Sequence, residues 1–186
     1  MNMHKWLLTN FDASCLYVRD RKWFTQALSI NQAVYDNSAS DGGLVTDYRE
    51  WQIPLGRRFR ALKIWFVLRS YGAEGLRSYI QKTIKLGEDF ADAVRGKEDL
   101  FEILAGPSFA LTVFRMVGKD EEKRNERTKR LCDMVNGSGK MWVTSTVLDG
   151  RFAIRFMTAV RTTEKEHVDA AFKMFVEVAE DITREG

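Results

Sequence analysis

The chain has 186 residues, 45% of them hydrophobic and 30% charged, which suits a globular protein of one domain or one domain plus the shoulder of another. Its net charge of +3 is too small to argue for a nucleic-acid partner, and its longest dense apolar run, residues 64–68, is far too short to span a membrane. Asn10 and Asp12 interrupt any secretory apolar core, and Cys15 and Cys132 lack metal-ligand spacing and read as reduced thiols, so no metal is expected and a cytoplasmic location is the default.

Residues 10–18 alternate, with Phe11, Ala13, Cys15 and Tyr17 on one face and Leu16 and Val18 on the other. That pattern predicts a strand buried on both sides. Residues 20–28 predict a short helix. Residues 29–43 are polar and end in glycine, the composition of a long functional or disordered loop. From residue 57 the pattern is helical, and residues 64–68 are apolar all round, as in a buried helix. Tyr71 and Gly72 break it. A longer helix follows, with Leu76, Tyr79, Ile80, Thr83, Phe90, Ala91 and Val94 on one face and a stop at Gly96.

The pattern then changes. Residues 100–104 and 109–116 read as strands joined through Gly106, Pro107 and Ser108. Residues 120–136 form a charged helix whose acidic start suits the helix dipole and whose end is Gly137. Residues 141–148 and 152–158 are strands about Asp149 and Gly150, a hairpin signal. The last helix starts at Thr163 with Glu166 as a capping box, and turns Val168, Ala171, Phe172, Phe175, Val178 and Ile182 inward. This tail predicts a small α+β domain with helices covering one face of an antiparallel sheet. His167 reads as a surface residue and Cys132 as core.

Lys5, taken alone, is a solvated lysine near a terminus. A lysine that forms a Schiff base must shed its proton, which needs a partly desolvated, electropositive pocket. The neighbouring His4 and a strand that fixes the backbone fit that alternative. Arg57, Arg58, Arg60 and Lys63 stand at a helix start, where the dipole disfavours cations, so they require anionic partners. Asp47 and Glu50 are the nearest in sequence. Ion pairing with them is the first reading, a ligand role the second and nucleic acid the third.

Longer motifs narrow the choice. Residues 2–6 (NMHKW), 10–14 (NFDAS), 47–65 (DYREWQIPLGRRFRALKIW) and 71–76 (YGAEGL) together resemble the group II pyridoxal-phosphate decarboxylases, the aromatic-L-amino-acid decarboxylase family. The resemblance covers the whole chain and is sharper in the N-terminal half. It implies the C-terminal part of an α/β PLP-dependent transferase-like fold (aspartate aminotransferase fold type I). Residues 1–98 would then be the end of the large cofactor domain, with a mobile loop at 29–43 and connecting helices. Residues 99–186 would be the small C-terminal α+β domain. The implied cofactor is pyridoxal 5'-phosphate, with Lys5 as its Schiff-base lysine and His4 and Asn2 beside its phosphate.

The resemblance further implies decarboxylation of an aromatic L-amino acid such as DOPA, tyrosine or tryptophan to its amine, by a homodimer with no nucleic-acid or membrane partner. Gly56 falls at a position tied to substrate choice; the alternative is that glycine there permits tight backbone packing. The family's loop tyrosine, which protonates the substrate carbon, aligns with Val34, and a tyrosine stands one place on at Tyr35. Either Tyr35 serves as the acid, or it is an ordinary loop aromatic and the parent enzyme is an aldehyde synthase. Groups that the family places before its lysine, for the ring nitrogen, ring stacking and phosphate, have no counterpart here, so the chain is expected to be inactive alone. The rival reading is a non-catalytic truncated remnant or interaction module.

Overall fold

The computed structural model describes residues 1–29, 44–45, 48–52, 56 and 58–185. The chain divides into two compact units, Met1–Gly72 and Ala73–Gly186. In the first unit, helix α1 (Arg21–Leu28) is capped by Asp20, whose carboxylate accepts the Lys22 N–H at 2.8 Å. A 3-10 turn follows at Tyr48–Trp51, and then helix α2 (Arg60–Arg95) begins. Gly72 breaks α2 with φ 64° and ψ 178°, where the sequence placed a break.

Two expectations fail in this unit. Residues 10–18 form no strand: a single antiparallel bridge joins Asn2 to Ser14, and Phe11 and Tyr17 are 82% and 80% exposed. A strand buried on both faces needs neighbours on both edges, and among the described residues only 1–4 run beside it. Likewise Trp65, Phe66 and Leu68 of α2 are exposed rather than buried. The apolar pattern records what these residues are suited to touch, and nothing in this unit's described residues covers them.

The second unit carries the core. The later part of α2 buries Tyr79, Thr83, Phe90, Ala91 and Val94 of the predicted face, with Leu86 added and Leu76 and Ile80 only half-buried. Four antiparallel strands follow: β1 (Phe101–Ser108), β2 (Leu111–Met116), β3 (Thr144–Leu148) and β4 (Arg151–Met157), in the order β1-β2-β4-β3. Helices α3 (Glu121–Gly137) and α4 (Lys165–Glu185) complete the unit. Phe90 of α2, Phe114, Met116 and Ile154 of the sheet, Leu131 and Val135 of α3, and Phe175 and Ile182 of α4 pack into one cluster. This is the predicted helix-on-sheet arrangement.

The details differ at element ends. β1 runs through Gly106 and Pro107 to Ser108, so these residues are not the turn; the chain reverses at Phe109 and Ala110. The register slips twice, between Ile103 and Ala105 and between Ala105 and Ser108. Such irregularity on an edge strand accommodates a proline that cannot donate to the ladder. The turn comes close to α2, where a Cβ on Gly87 would lie 3.0 Å from the Phe109 carbonyl oxygen, so glycine is what that approach requires. β3 begins at Thr144, later than expected, while its turn to β4 has the predicted positive φ at Asp149 (51°) and Gly150 (79°).

Side chains of α3 replace missing strand partners. Asn136 accepts the Val143 N–H at 2.8 Å and donates to its carbonyl at 3.0 Å; Asn125 does the same for Phe152 N–H and the Gly150 carbonyl. Helix α4 begins two residues after the expected Thr163. Its reciprocal cap is made by Glu164, whose carbonyl accepts from His167 and Val168, and by the His167 ring, which accepts the Glu164 N–H at 3.0 Å. His167 is therefore exposed, as expected, but takes the role the sequence gave to Glu166. Cys132 is buried in the core, and burial raises its thiol pKa.

One charged group lies inside this unit. Arg115 of β2 is only 2% exposed. It donates to Glu102 of β1 at 2.6 Å and to both carboxylate oxygens of Glu121, at the start of α3, at 2.7 and 3.0 Å. Arg124 adds a further bond to Glu121. The hydrogen bond from Arg115 is the chief reason that the Glu121 carboxyl falls from 4.5 to about 2. A carboxyl depressed by folding stabilises the fold above its unfolded pKa, and that contribution is lost as pH falls through the folded pKa. Thermal midpoints measured between pH 4.5 and 2 should therefore fall more steeply for the natural chain than for Glu121→Gln; equal slopes would contradict this assignment.

Candidate active site

The candidate lysine, expected beside a strand, lies in a turn, and the first unit shows how that turn is held. Residues 1–4 lie antiparallel to residues 13–15. The Cys15 N–H reaches the Met1 carbonyl at 2.8 Å, the Ser14 hydroxyl donates to Asn2 Oδ1 at 2.6 Å, and the His4 N–H reaches the Ala13 carbonyl at 3.3 Å. Met3, Thr9 and Ala13 are buried between the two runs. Lys5 sits where the chain leaves this pairing. Its N–H bonds to the Asn2 carbonyl at 3.3 Å, and its side chain is exposed with no ion pair to any described residue.

His4 is fixed by the same pairing. Its Nδ1 lies 2.9 Å from the Ala13 carbonyl oxygen and 3.2 Å from the Ala13 nitrogen, and its ring meets Phe11 edge-on at 4.9 Å. Nδ1 is thus occupied in either tautomer, and Nε2 is the ring nitrogen left over. Asn2 spends its side-chain Oδ1 on the Ser14 hydroxyl and keeps its side-chain amide N–H groups. Asn2, His4 and Lys5 are therefore brought together on one small hairpin. Gly56 is exposed, with its carbonyl bonded to Gln52 at 2.9 Å. Among the described residues no atom comes within 4 Å of a Cβ built there, so the tight-packing alternative finds no contact. Tyr35 and Val34 lie outside the described residues, as do Arg57 and Asp47.

Within the basic cluster, Arg60 finds a different anion from Glu50, while Asp47 and Arg57 lie outside the described residues. Glu50 accepts from Ser29. Arg60 instead grips Asp12, with Nε to Oδ1 at 3.2 Å and Nη2 to Oδ2 at 3.0 Å. Lys63, one turn along α2, donates to the carbonyls of Asn10, Phe11 and Asp12 at 3.5, 3.0 and 3.3 Å. The Arg60 hydrogen bond holds the Asp12 carboxyl below its ordinary pKa. Sequence reasoning missed this contact because 48 residues separate the partners; Asp12 itself stood in the quoted motif. It also missed Thr9, four residues after Lys5, whose buried hydroxyl has no hydrogen-bond partner among the described residues. A cleft of about 1360 Å³ opens beside Ser14, lined by Tyr17, Phe24, Trp51, Arg58 and Phe59 among others.

Comparison with known proteins agrees with the motif that surrounds Lys5. The family model described as the pyridoxal-dependent decarboxylase conserved domain matches residues 1–117. The chain belongs to this family. It is 49% identical over 181 residues to phenylacetaldehyde synthase of Arabidopsis thaliana, covering 96% of this chain and 37% of that protein. It is 40% identical over 183 residues to aromatic-L-amino-acid decarboxylase of Rattus norvegicus, covering 98% and 37%. A crystal structure of Oryza sativa TDC with PLP and tryptamine superposes with a TM-score of 0.90 at 38% identity, over 98% of this chain and 38% of that one. The chain thus has the PLP-dependent transferase-like fold expected from the sequence, and its antiparallel sheet belongs to that fold. The chain spans a little over a third of the length of the relatives it matches.

The family's cofactor is pyridoxal 5'-phosphate. The residues present suit part of its attachment. Lys5 Nζ pairs with no carboxylate among the described residues and its backbone is held by hydrogen bonds, so the amine is available to a carbonyl-bearing group, but the described residues leave it exposed and do not supply the desolvated pocket that would strip its proton. Among the described residues no helix is long and apolar enough to cross a membrane.

Proposed function

We propose that this chain is the lysine-bearing part of a decarboxylase that converts an aromatic L-amino acid of the DOPA, tyrosine or tryptophan type to its amine. The observation that carries the reading is Lys5, held at the exit of a hydrogen-bonded hairpin within a sequence that matches aromatic amino-acid decarboxylases. Bound there, the cofactor would act as the electron sink that lets the α-carboxylate leave as carbon dioxide.

In this reading the chain's own residues hold and orient. Lys5 Nζ supplies the point of attachment. His4, its Nδ1 held at Ala13, would lie beside the phosphate with Nε2 left to face it. The Asn2 amide, oriented by Ser14, offers a second donor. Tyr35 supplies the proton to the substrate α-carbon after carbon dioxide leaves. Gly56 bears on which aromatic side chain fits. Residues 1–98 would belong to the cofactor domain and 99–186 to the small domain, in a cytoplasmic homodimer.

The groups for the ring nitrogen and for stacking on the ring belong, by resemblance, to polypeptide before the lysine. Alone, the chain should retain no cofactor through dialysis and release no amine. Completed by fusion to the N-terminal portion of rice tryptophan decarboxylase, it should release amine, and Lys5→Ala should abolish this. A fused protein that binds cofactor but makes neither amine nor aldehyde from any aromatic amino acid would favour the rival, a non-catalytic remnant. The Arabidopsis aldehyde synthase among the relatives, together with Val34, favours a second product reading: aromatic aldehyde in place of amine.

A further inference from the structure

We propose that Asp12, Arg60 and Lys63 form a clamp that positions Lys5 from α2. The inference rests on Lys5 as the attachment point, and it assigns a positioning role to three residues whose hydrogen bonds are to one another and to the carbonyls of residues 10–12.

The argument follows the hydrogen bonds outward from Lys5. Lys5 is covalently next to His4. His4 is bonded through both its N–H and its ring to Ala13. Ala13 is covalently next to Asp12, and Asp12 is held by the Arg60 fork. The run 1–4 and 13–15 is short, with one formal bridge, and a pairing of that size is marginal by itself. The segment between, residues 5–12, includes Leu8 at φ 62° and a largely exposed Phe11, and buries only Thr9 fully, so its own burial is limited. What fixes its far end is α2. The Arg60 guanidinium binds both oxygens of one carboxylate, which sets direction as well as distance. Lys63 then satisfies three successive carbonyls that no backbone N–H reaches among the described residues.

The placement also answers why cations stand at this helix start against the dipole. Their partners are a carboxylate and three carbonyl oxygens delivered by the Lys5 hairpin. A carboxylate near a helix N-terminus is itself favoured, so Asp12 satisfies both the dipole and Arg60. A small displacement of a catalytic group costs far more rate than stability, and the clamp is the device that limits such displacement.

The test reads Lys5's hairpin directly, in the chain as it exists, by amide hydrogen exchange. Arg60→Met should speed exchange of the His4 and Cys15 amides about tenfold, the loss of a charged hydrogen bond read as local opening. The amides of β4 should be unchanged. The reversed pair, Asp12→Arg with Arg60→Asp, should bring the hairpin back to within about twofold of the natural rate, a rescue that nonspecific damage would not give. Unchanged His4 and Cys15 amides in Arg60→Met would overturn the proposal. So would a rise that the reversed pair fails to rescue, or one shared equally by the β4 amides. None of these readings depends on cofactor, so failure here leaves the assignment of Lys5 to be judged separately.

Discussion

Phe90→Ala should cost the C-terminal unit about 3–5 kcal/mol, much of the ~5–15 kcal/mol that holds a domain folded. Phe90 is 1% exposed. Its ring stacks on Phe156 at 4.0 Å and meets Phe114, Phe172 and Phe175 edge-on at 5.4, 6.0 and 6.1 Å. It therefore joins α2, β2, β4 and α4 at one point, and the surrounding rings cannot all collapse into the space it leaves. Urea denaturation followed by circular dichroism measures the loss. Trp65→Ala, on the exposed part of α2, should shift the same transition by less than about 0.5 kcal/mol. A Phe90→Ala loss below about 1 kcal/mol would mean that this cluster is not the core.

Tyr35→Phe should change the product of the completed enzyme. If Tyr35 delivers the proton to the substrate α-carbon, the fused enzyme makes amine and carbon dioxide. Removing the phenolic proton leaves that carbon open to dioxygen, and the products become aromatic aldehyde, carbon dioxide, ammonia and hydrogen peroxide. A one-residue offset from Val34 turns a side chain to the opposite face only where the backbone is extended; in an irregular, glycine-ended loop Tyr35 can still reach. Peroxide and amine measured together decide it. Mainly aldehyde from the unmutated fusion, unchanged in Tyr35→Phe, would make Tyr35 a bystander and the parent enzyme an aldehyde synthase.

The C-terminal unit was legible because its signals are local. Asp149 and Gly150 need positive φ, Asp120 caps a helix three residues ahead, and the face from Tyr79 to Val94 repeats at helical spacing. Each is decided within a few residues. The failures were not local. Pro107 looked like a turn residue and instead occupies an irregular edge strand, because strand order is set by β2 and not by the proline. Residues 10–18 looked like a buried strand, and their apolar alternation is real, but a strand exists only with neighbours. At the candidate site, Lys5 and His4 were legible from the motif alone. The Asp12 to Arg60 fork was not, because sequence proximity pointed the cations toward Glu50. Charge tells that a partner must exist; only the fold tells which one.

The most direct test of Lys5 is chemical. The chain completed by a relative's N-terminal portion is loaded with pyridoxal 5'-phosphate, reduced with borohydride to fix the cofactor to whichever amine holds it, digested and read by mass spectrometry. One phosphopyridoxyl group per chain, on the peptide containing Lys5 and lost in Lys5→Ala without transfer to another lysine, is the predicted result. A label spread over several surface lysines, or one that persists in Lys5→Ala, would contradict the account.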